Sequence, residues 1–244
     1  LPVEVIEVDF PSFLDQQNTE QRKHDFVFVR DLFISNQEGK VIISKFSEEA
    51  RQVESDMMEI MLNSMEYQTI RIPDSINAKA EGGEFYYCAD QKILFSGACR
   101  NNTKGAEWVA QEFDVNELII MKSDVFHLDT LFTPVINKKN ELAAMIACTE
   151  LMEKESVDDL KSFSNKISVE LVEVDPEDSI GTKDKLGEFA VNCCPLPGYL
   201  IGPTRFRSLK VNQLLKDLEV MHITIPTTQF RLSGGSVHCL TNEL

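Results

Sequence analysis

One order of elements occurs four times along the chain, and a chain of repeated units folds by packing each unit on the next. In the first unit, FVFVRDLFIS (26–35) and GKVIIS (39–44) are rich in β-branched and aromatic residues and are separated by the turn signal NQEG, which predicts a hairpin. SEEARQVESDMMEIMLN (47–63) then sets Val53, Met57, Ile60 and Met61 on one helical face, and YQTIRIP (67–73) returns to strand character. The second unit repeats this with EFYYCAD, KILFSGA, the helical NNTKGAEWVAQEF and ELIIMK. The third has LDTLFTPVI, ELAAMIAC, TELMEKESVDDLKSF and SVELVEVD; the fourth has EFAVNC, GYLIGP, SLKVNQLLKDLEV and HITIP. Strand–strand–helix–strand units of roughly 45–65 residues predict a modular α/β fold.

The two ends fit the same scheme. LPVEVIEVDF alternates like the last strand of an earlier unit, and GGSVHCL resembles the first strand of an unfinished one. Joined around a ring they would share a fifth unit lacking its N-terminal hairpin strand and helix. The expectation is one domain over residues 1–244 that starts downstream of a natural initiator methionine.

Charge and cysteine usage narrow the function classes. Forty acidic against 24 basic residues give a formal charge of −16, which repels nucleic-acid phosphate and anionic membrane surfaces and draws small cations. No apolar run approaches the ~20 residues of a membrane span, and the first residues lack a signal-peptide pattern. The six cysteines, Cys88, Cys99, Cys148, Cys193, Cys194 and Cys239, form no C-x-x-C pair, which fits a reducing cytoplasm.

Polar residues that recur at one point of successive units are expected to face a shared centre. They are Asp31 in FVRD, Glu81 in EGGE, His127 and Asp129 in FHLDT, Asn192 in AVNC and Cys239 in GGSVHC. Buried charges need partners or a ligand, and carboxylates suit a planar guanidinium held by forked hydrogen bonds. Its central carbon is then open to a thiolate, whose formation a neighbouring positive charge favours. Cys239 is the candidate nucleophile, and His127 the candidate acid and base for the departing amine and the incoming water.

The motifs FVRD (28–31), EGGE (81–84), HLDT (127–130) and SGGSVHCLT (233–241) closely resemble those of the guanidine-modifying enzymes of the pentein superfamily, in the family's order and over nearly the whole chain. The resemblance implies a five-bladed α/β propeller of ββαβ units and hydrolysis of arginine or an N-methylated arginine to citrulline, without cofactor or metal. It implies Cys239 as nucleophile, His127 as acid and base, and Glu81 holding the guanidine and orienting the histidine. Asp31 and Asp129 would hold guanidine nitrogens, and Arg100, or less directly Arg51, a substrate carboxylate. HLDT looks like arginine deiminase, yet no helical domain interrupts residues 31–239, and His238 stands where deiminases carry arginine. Dimethylarginine dimethylaminohydrolases share the compact size and the GACRNNTKGAE-like segment but commonly lack the acid at Asp129. The partner expected is a small cationic guanidino substrate, with no nucleic acid and no membrane; a homodimer is compatible.

Plainer readings stand beside these. The other five cysteines, His24 and His222 read as packing or surface residues, and Glu84 as an exposed or turn residue. In a regular strand His127 and Asp129 share a face, whereas His238 points away from Cys239 and stays outside the chemistry. A zinc site of His127, Asp129, His238 and Cys239 lacks paired ligand spacing. An amidinotransferase with the same covalent intermediate, or a non-catalytic binding protein of this fold, remains an alternative.

Overall fold

The computed structural model describes residues 3–7 and 24–244. Four three-stranded sheets follow one another, each with its second strand in the middle. The first contains β1 (Phe33–Ser35), β2 (Val41–Ile43) and β3 (Thr69–Arg71), with α1 (Glu49–Ser64) between β2 and β3. The second is β4 (Phe85–Cys88), β5 (Ile93–Gly97) and β6 (Glu117–Met121) around α2 (Thr103–Glu112). The third is β7 (Phe132–Ile136), β8 (Leu142–Ala147) and β9 (Glu170–Glu173) around α3 (Lys154–Ile167). A small hairpin, β10 (Gly181–Thr182) with β11 (Lys185–Leu186), precedes the fourth sheet and was not foreseen from the sequence. That last sheet is β12 (Cys194–Leu196), β13 (Tyr199–Gly202) and β14 (Met221–Thr224) around α4 (Leu209–Asp217).

In every unit the first two strands are antiparallel and the third is parallel to the second, the pairing that a helical crossover requires. Asn102 caps α2 by accepting from the Gly105 amide, and Ser208 caps α4 by accepting from that of Val211. The cores lie between successive sheets. Ile34 and Ile42 pack with Phe85, Leu94 and Val109; Phe95 packs with Phe132, Met145 and Leu160; and Val135 and Ile146 pack with Leu200 and Val211. No helix among the described residues is long and apolar enough to cross a membrane.

Three expected strands are not formed, one of them EFAVNC (188–193), which turns before β12 begins at Cys194. Residues 3–7 carry no regular structure and are exposed, because a lone extended segment has no ladder to complete; the rest of the stretch 1–10 lies outside the described residues. GGSVHCL is not a strand either. The short helix α5 (Thr228–Leu232) is followed by Gly234, whose φ of +90° favours glycine, and the chain then turns so that the Leu240 amide donates to Ser236 and that of Thr241 to His238. Gly235 is needed here, since a Cβ would lie 2.3 Å from the Phe28 ring.

The C-terminal segment bridges the first and fourth units. Arg30 donates through Nε to Thr241 O at 2.9 Å and pairs with Glu243 at 2.6 Å, and Asn242 Nδ2 donates to Phe33 O at 3.0 Å. On the other side the His238 amide donates to Asn192 Oδ1 at 3.0 Å.

The recurring polar residues sit on turns just before each first strand, not within the strands. The amide of Asp31 bonds Phe28 O, that of Glu84 bonds Glu81 O, that of Thr130 bonds His127 O and that of Asn192 bonds Phe189 O, the same three-residue closure each time. Neighbouring turns crowd together: a Cβ on Gly82 would lie 1.9 Å from the Arg30 carbonyl oxygen. Gly82→Ala should therefore force the backbone apart and lower the urea midpoint by an amount worth about 1–3 kcal/mol; an unchanged midpoint would show that the turns can separate freely.

Candidate active site

Where these turns meet, a cavity of about 230 Å³ is lined by Asp31, Arg51, Glu81, Arg100, His127 and Cys239, among others. Phe28 and Phe126 also line it, beside Gly234 and Gly235. It is smaller than the roughly 300–1,000 Å³ of a drug-sized site, which suits one amino-acid-sized ligand.

His127 lies between two carboxylates. Its Nε2 is 3.1 Å from Glu81 Oε2 and its Nδ1 3.3 Å from Asp31 Oδ1, with all three residues buried. Burial alone would lower the pKa of this imidazole, but Asp31, Glu81, Glu84 and Asp129 overcome that and raise it to about 9. Burial conversely pushes Glu81 up, and the bond to His127 together with the Ser47 hydroxyl and amide brings it down to about 2. The pair is thus an imidazolium facing a carboxylate.

Asp31 is shared. Its Oδ2 accepts from the Arg51 guanidinium at 2.8 Å, and Arg51 also meets Glu54 at 3.0 Å and lies 4.6 Å over the Phe46 ring. Arg100 pairs with Glu48 and stands 4.9 Å over the Phe126 ring, half-buried at the rim. Both arginines line the cavity, each already engaged with acids. The Gly83 backbone passes close to this pair, since a Cβ there would lie 2.5 Å from Asp31 Oδ1 and 2.6 Å from His127 Nδ1.

Cys239 forms the floor with a different set of partners. Its thiol donates to Asp129 Oδ2 at 3.2 Å, and Asn192 Nδ2 donates to the sulfur at 3.2 Å and to Asp129 O at 2.9 Å. Burial first, then Asp129 and Asp31, hold the thiol pKa well above its ordinary value, so the thiol is protonated. Burial also raises Asp129 to about 7.

Several expectations need correction. Asp129 does not share a face with His127: on the turn its carboxylate reaches beneath Cys239 and is not among the residues lining the cavity. His238 does not point away. Because the segment turns, its Nδ1 lies 2.9 Å from Asp129 Oδ2. Glu84 is neither exposed nor a simple turn residue; its carboxylate is buried and accepts from the amides of Cys99, Arg100 and Leu128 at 3.1, 2.5 and 2.9 Å, tying the second and third units together. Sequence reading also missed Ser47, Glu48 and Phe126, which no spacing marks. Cys88, Cys148, Cys193 and Cys194 are buried and Cys99 exposed, all as free thiols. His222 packs 5.4 Å from Phe206, while the side chain of His24 lies outside the described residues. Among the described residues, no group of three or more His, Cys, Asp or Glu could hold a metal ion.

Comparison with known proteins places this arrangement. The solved N-terminal domain of ArgZ, an arginine dihydrolase from the ornithine–ammonia cycle in cyanobacteria, superposes with a TM-score of 0.72 at 19% identity, over 89% of this chain and 75% of that one. Full-length ArgZ gives 0.74 at 17% identity, over 95% of this chain and 36% of its own. A dimethylarginine dimethylaminohydrolase adduct gives 0.65 at 18% identity, over 94% and 87%. At such identities the shared feature is the mixed α/β fold. A search of curated proteins gave no match. The family model described as N,N dimethylarginine dimethylhydrolase, eukaryotic, matches residues 13–244. With that match over most of the sequence, the chain belongs to the eukaryotic N,N-dimethylarginine dimethylhydrolase family, pentein-superfamily hydrolases acting on guanidino groups.

Proposed function

We propose that the protein is a cysteine-dependent hydrolase of the guanidinium group of arginine or an N-methylated arginine, yielding citrulline with ammonia or an alkylamine. The observation carrying this reading is that one small cavity collects the Cys239 thiol, the His127 imidazole and the carboxylates of Asp31 and Glu81. Donor-rich, planar and positive, a guanidinium matches those acceptors. Its arrival beside Cys239 offsets the negative field of Asp31 and Asp129 and favours the thiolate, the thiol proton leaving to solvent.

The sulfur then bonds to the guanidine carbon. His127, protonated near neutral pH, gives its proton to the departing amine nitrogen as the C–N bond breaks, leaving a thiouronium on Cys239. The neutral imidazole next removes a proton from water, whose oxygen attacks the same carbon. Collapse breaks the C–S bond and returns the thiol with a ureido product. Arg100 or Arg51, which both line the cavity, would meet a substrate carboxylate, which requires either to loosen from its present acid.

Incubation with arginine, monomethylarginine, asymmetric dimethylarginine and agmatine, scoring ureido product and released amine, tests the reading. Citrulline from arginine or a methylated arginine is expected. Transfer of the amidino group to added glycine without ureido product would replace hydrolysis by transfer, and no reaction of any kind would return the chain to a binding role.

A further inference from the structure

The least accounted-for group near the chemistry is His238. It is fully buried, its ring stacks on Tyr86 at 4.3 Å with an interplanar angle of 25°, and its Nε2 has no hydrogen-bond partner. Burying an imidazole with one nitrogen unpaired has a desolvation cost that an aliphatic side chain would avoid. What the imidazole gains is one contact, Nδ1 to Asp129 Oδ2 at 2.9 Å. That oxygen is the one that accepts the Cys239 thiol at 3.2 Å. Asp129 Oδ1 is buried without any partner, while Asn192 holds the Asp129 backbone oxygen, the Cys239 sulfur and the His238 amide.

We infer that His238 is a positioning residue: its Nδ1–H fixes the rotation of the Asp129 carboxylate, so that Oδ2 stays on the Cys239 thiol. The imidazole is neutral here, since burial and then Arg30 hold its pKa well below the ordinary histidine value, and a neutral ring carrying its hydrogen on Nδ1 leaves Nε2 as the bare acceptor observed. Two bonds to one oxygen define a rotamer that either bond alone would leave free. Tyr86 holds the ring plane, and the short His238–Cys239 link gives nucleophile and holder a common anchor in the turn.

The test separates position from bulk. Asn can place an amide N–H where Nδ1 stands, Gln carries its amide one methylene too far, and Leu keeps apolar volume on Tyr86 with no donor. Using the guanidino substrate turned over best by the wild type, His238→Leu and His238→Gln should lose on the order of 10–100-fold in kcat with KM within about threefold, and His238→Asn should recover most of the loss. If Leu fails to fold, the contrast between Asn and Gln decides. Equal kcat for Asn and Gln, or wild-type kcat in any folded variant lacking the donor, would overturn the inference.

The kinetic arm rests on the proposed function, so a second arm does without substrate. In protein labelled with nitrogen-15 histidine, the His238 Nδ1–H should give a slowly exchanging proton signal that disappears in Asp129→Ala. A wild type inactive on every guanidino compound yet showing this signal would sink the functional reading alone. Absence of the signal from the wild type, or its persistence in Asp129→Ala, would sink the inference alone.

Discussion

Cys239→Ala should abolish ureido product, lowering kcat by at least ~10⁴-fold, because no other described cysteine lines the cavity and the groups that act with a nucleophile contribute little once it is gone. The fold should survive. Without the sulfur, Asn192 still donates to Asp129 O at 2.9 Å and His238 still meets Asp129 Oδ2 at 2.9 Å, so the floor keeps its shape. A thiol-to-hydrogen truncation leaves a small void worth about 1 kcal/mol, which shifts Tm by roughly 2–4 °C in a chain of this length. Activity within tenfold of wild type, in a sample shown by mass to carry the substitution, would exclude the covalent route.

His127→Gln should lower kcat by about 10²–10⁴-fold, the range expected when a positioned acid and base is removed. It should also change how stability depends on pH. A folded-state pKa raised to about 9 means that the folded chain holds the His127 proton more tightly than the unfolded chain, whose histidine titrates near 6.5. The stabilisation is fully present below about pH 6.5 and is lost as pH rises toward 9. Asp129, raised to about 7, weakens the fold over a lower window, from about pH 4 to 7, and the buried thiols act above about 8.5. Comparing the two proteins isolates the histidine: between pH 7 and 9 the urea midpoint of the wild type should fall more steeply than that of His127→Gln. Parallel slopes would mean that the imidazole is not held charged by Asp31 and Glu81.

How much could be read from the amino acids follows from which forces are local. The helices were legible because their apolar periodicity is local: residues 47–63 became Glu49–Ser64, and 101–113 became Thr103–Glu112. The two hairpin strands and the returning strand of the first three units were legible for the same reason, whereas in the fourth the first strand lies at Cys194–Leu196, after the expected EFAVNC. The turns before each first strand were not, since a run such as FVFVRDLFIS has strand composition throughout while its first half closes three-residue bonds dictated by the neighbouring turns. The candidate residues Asp31, Glu81, His127, Arg51, Arg100 and Cys239 were found through their recurrence and motif resemblance, and all line one cavity. Assigning side-chain direction by strand alternation failed at Asp129 and His238, which sit on turns with no two-residue period. Glu84 escaped because its three amide donors come from two distant loops, information that no window of sequence contains.

The clamp of Arg30, Thr241, Asn242 and Glu243 has a consequence for the order of assembly. Sheets made of near neighbours can form early, whereas the loop that brings Cys239 beside Asp31 spans almost the whole described chain and carries a late entropic penalty. The Cys239 thiol therefore comes beside Asp31 only when the last segment closes onto the first unit, so under the proposed mechanism activity would report on that closure and not on the integrity of any single sheet.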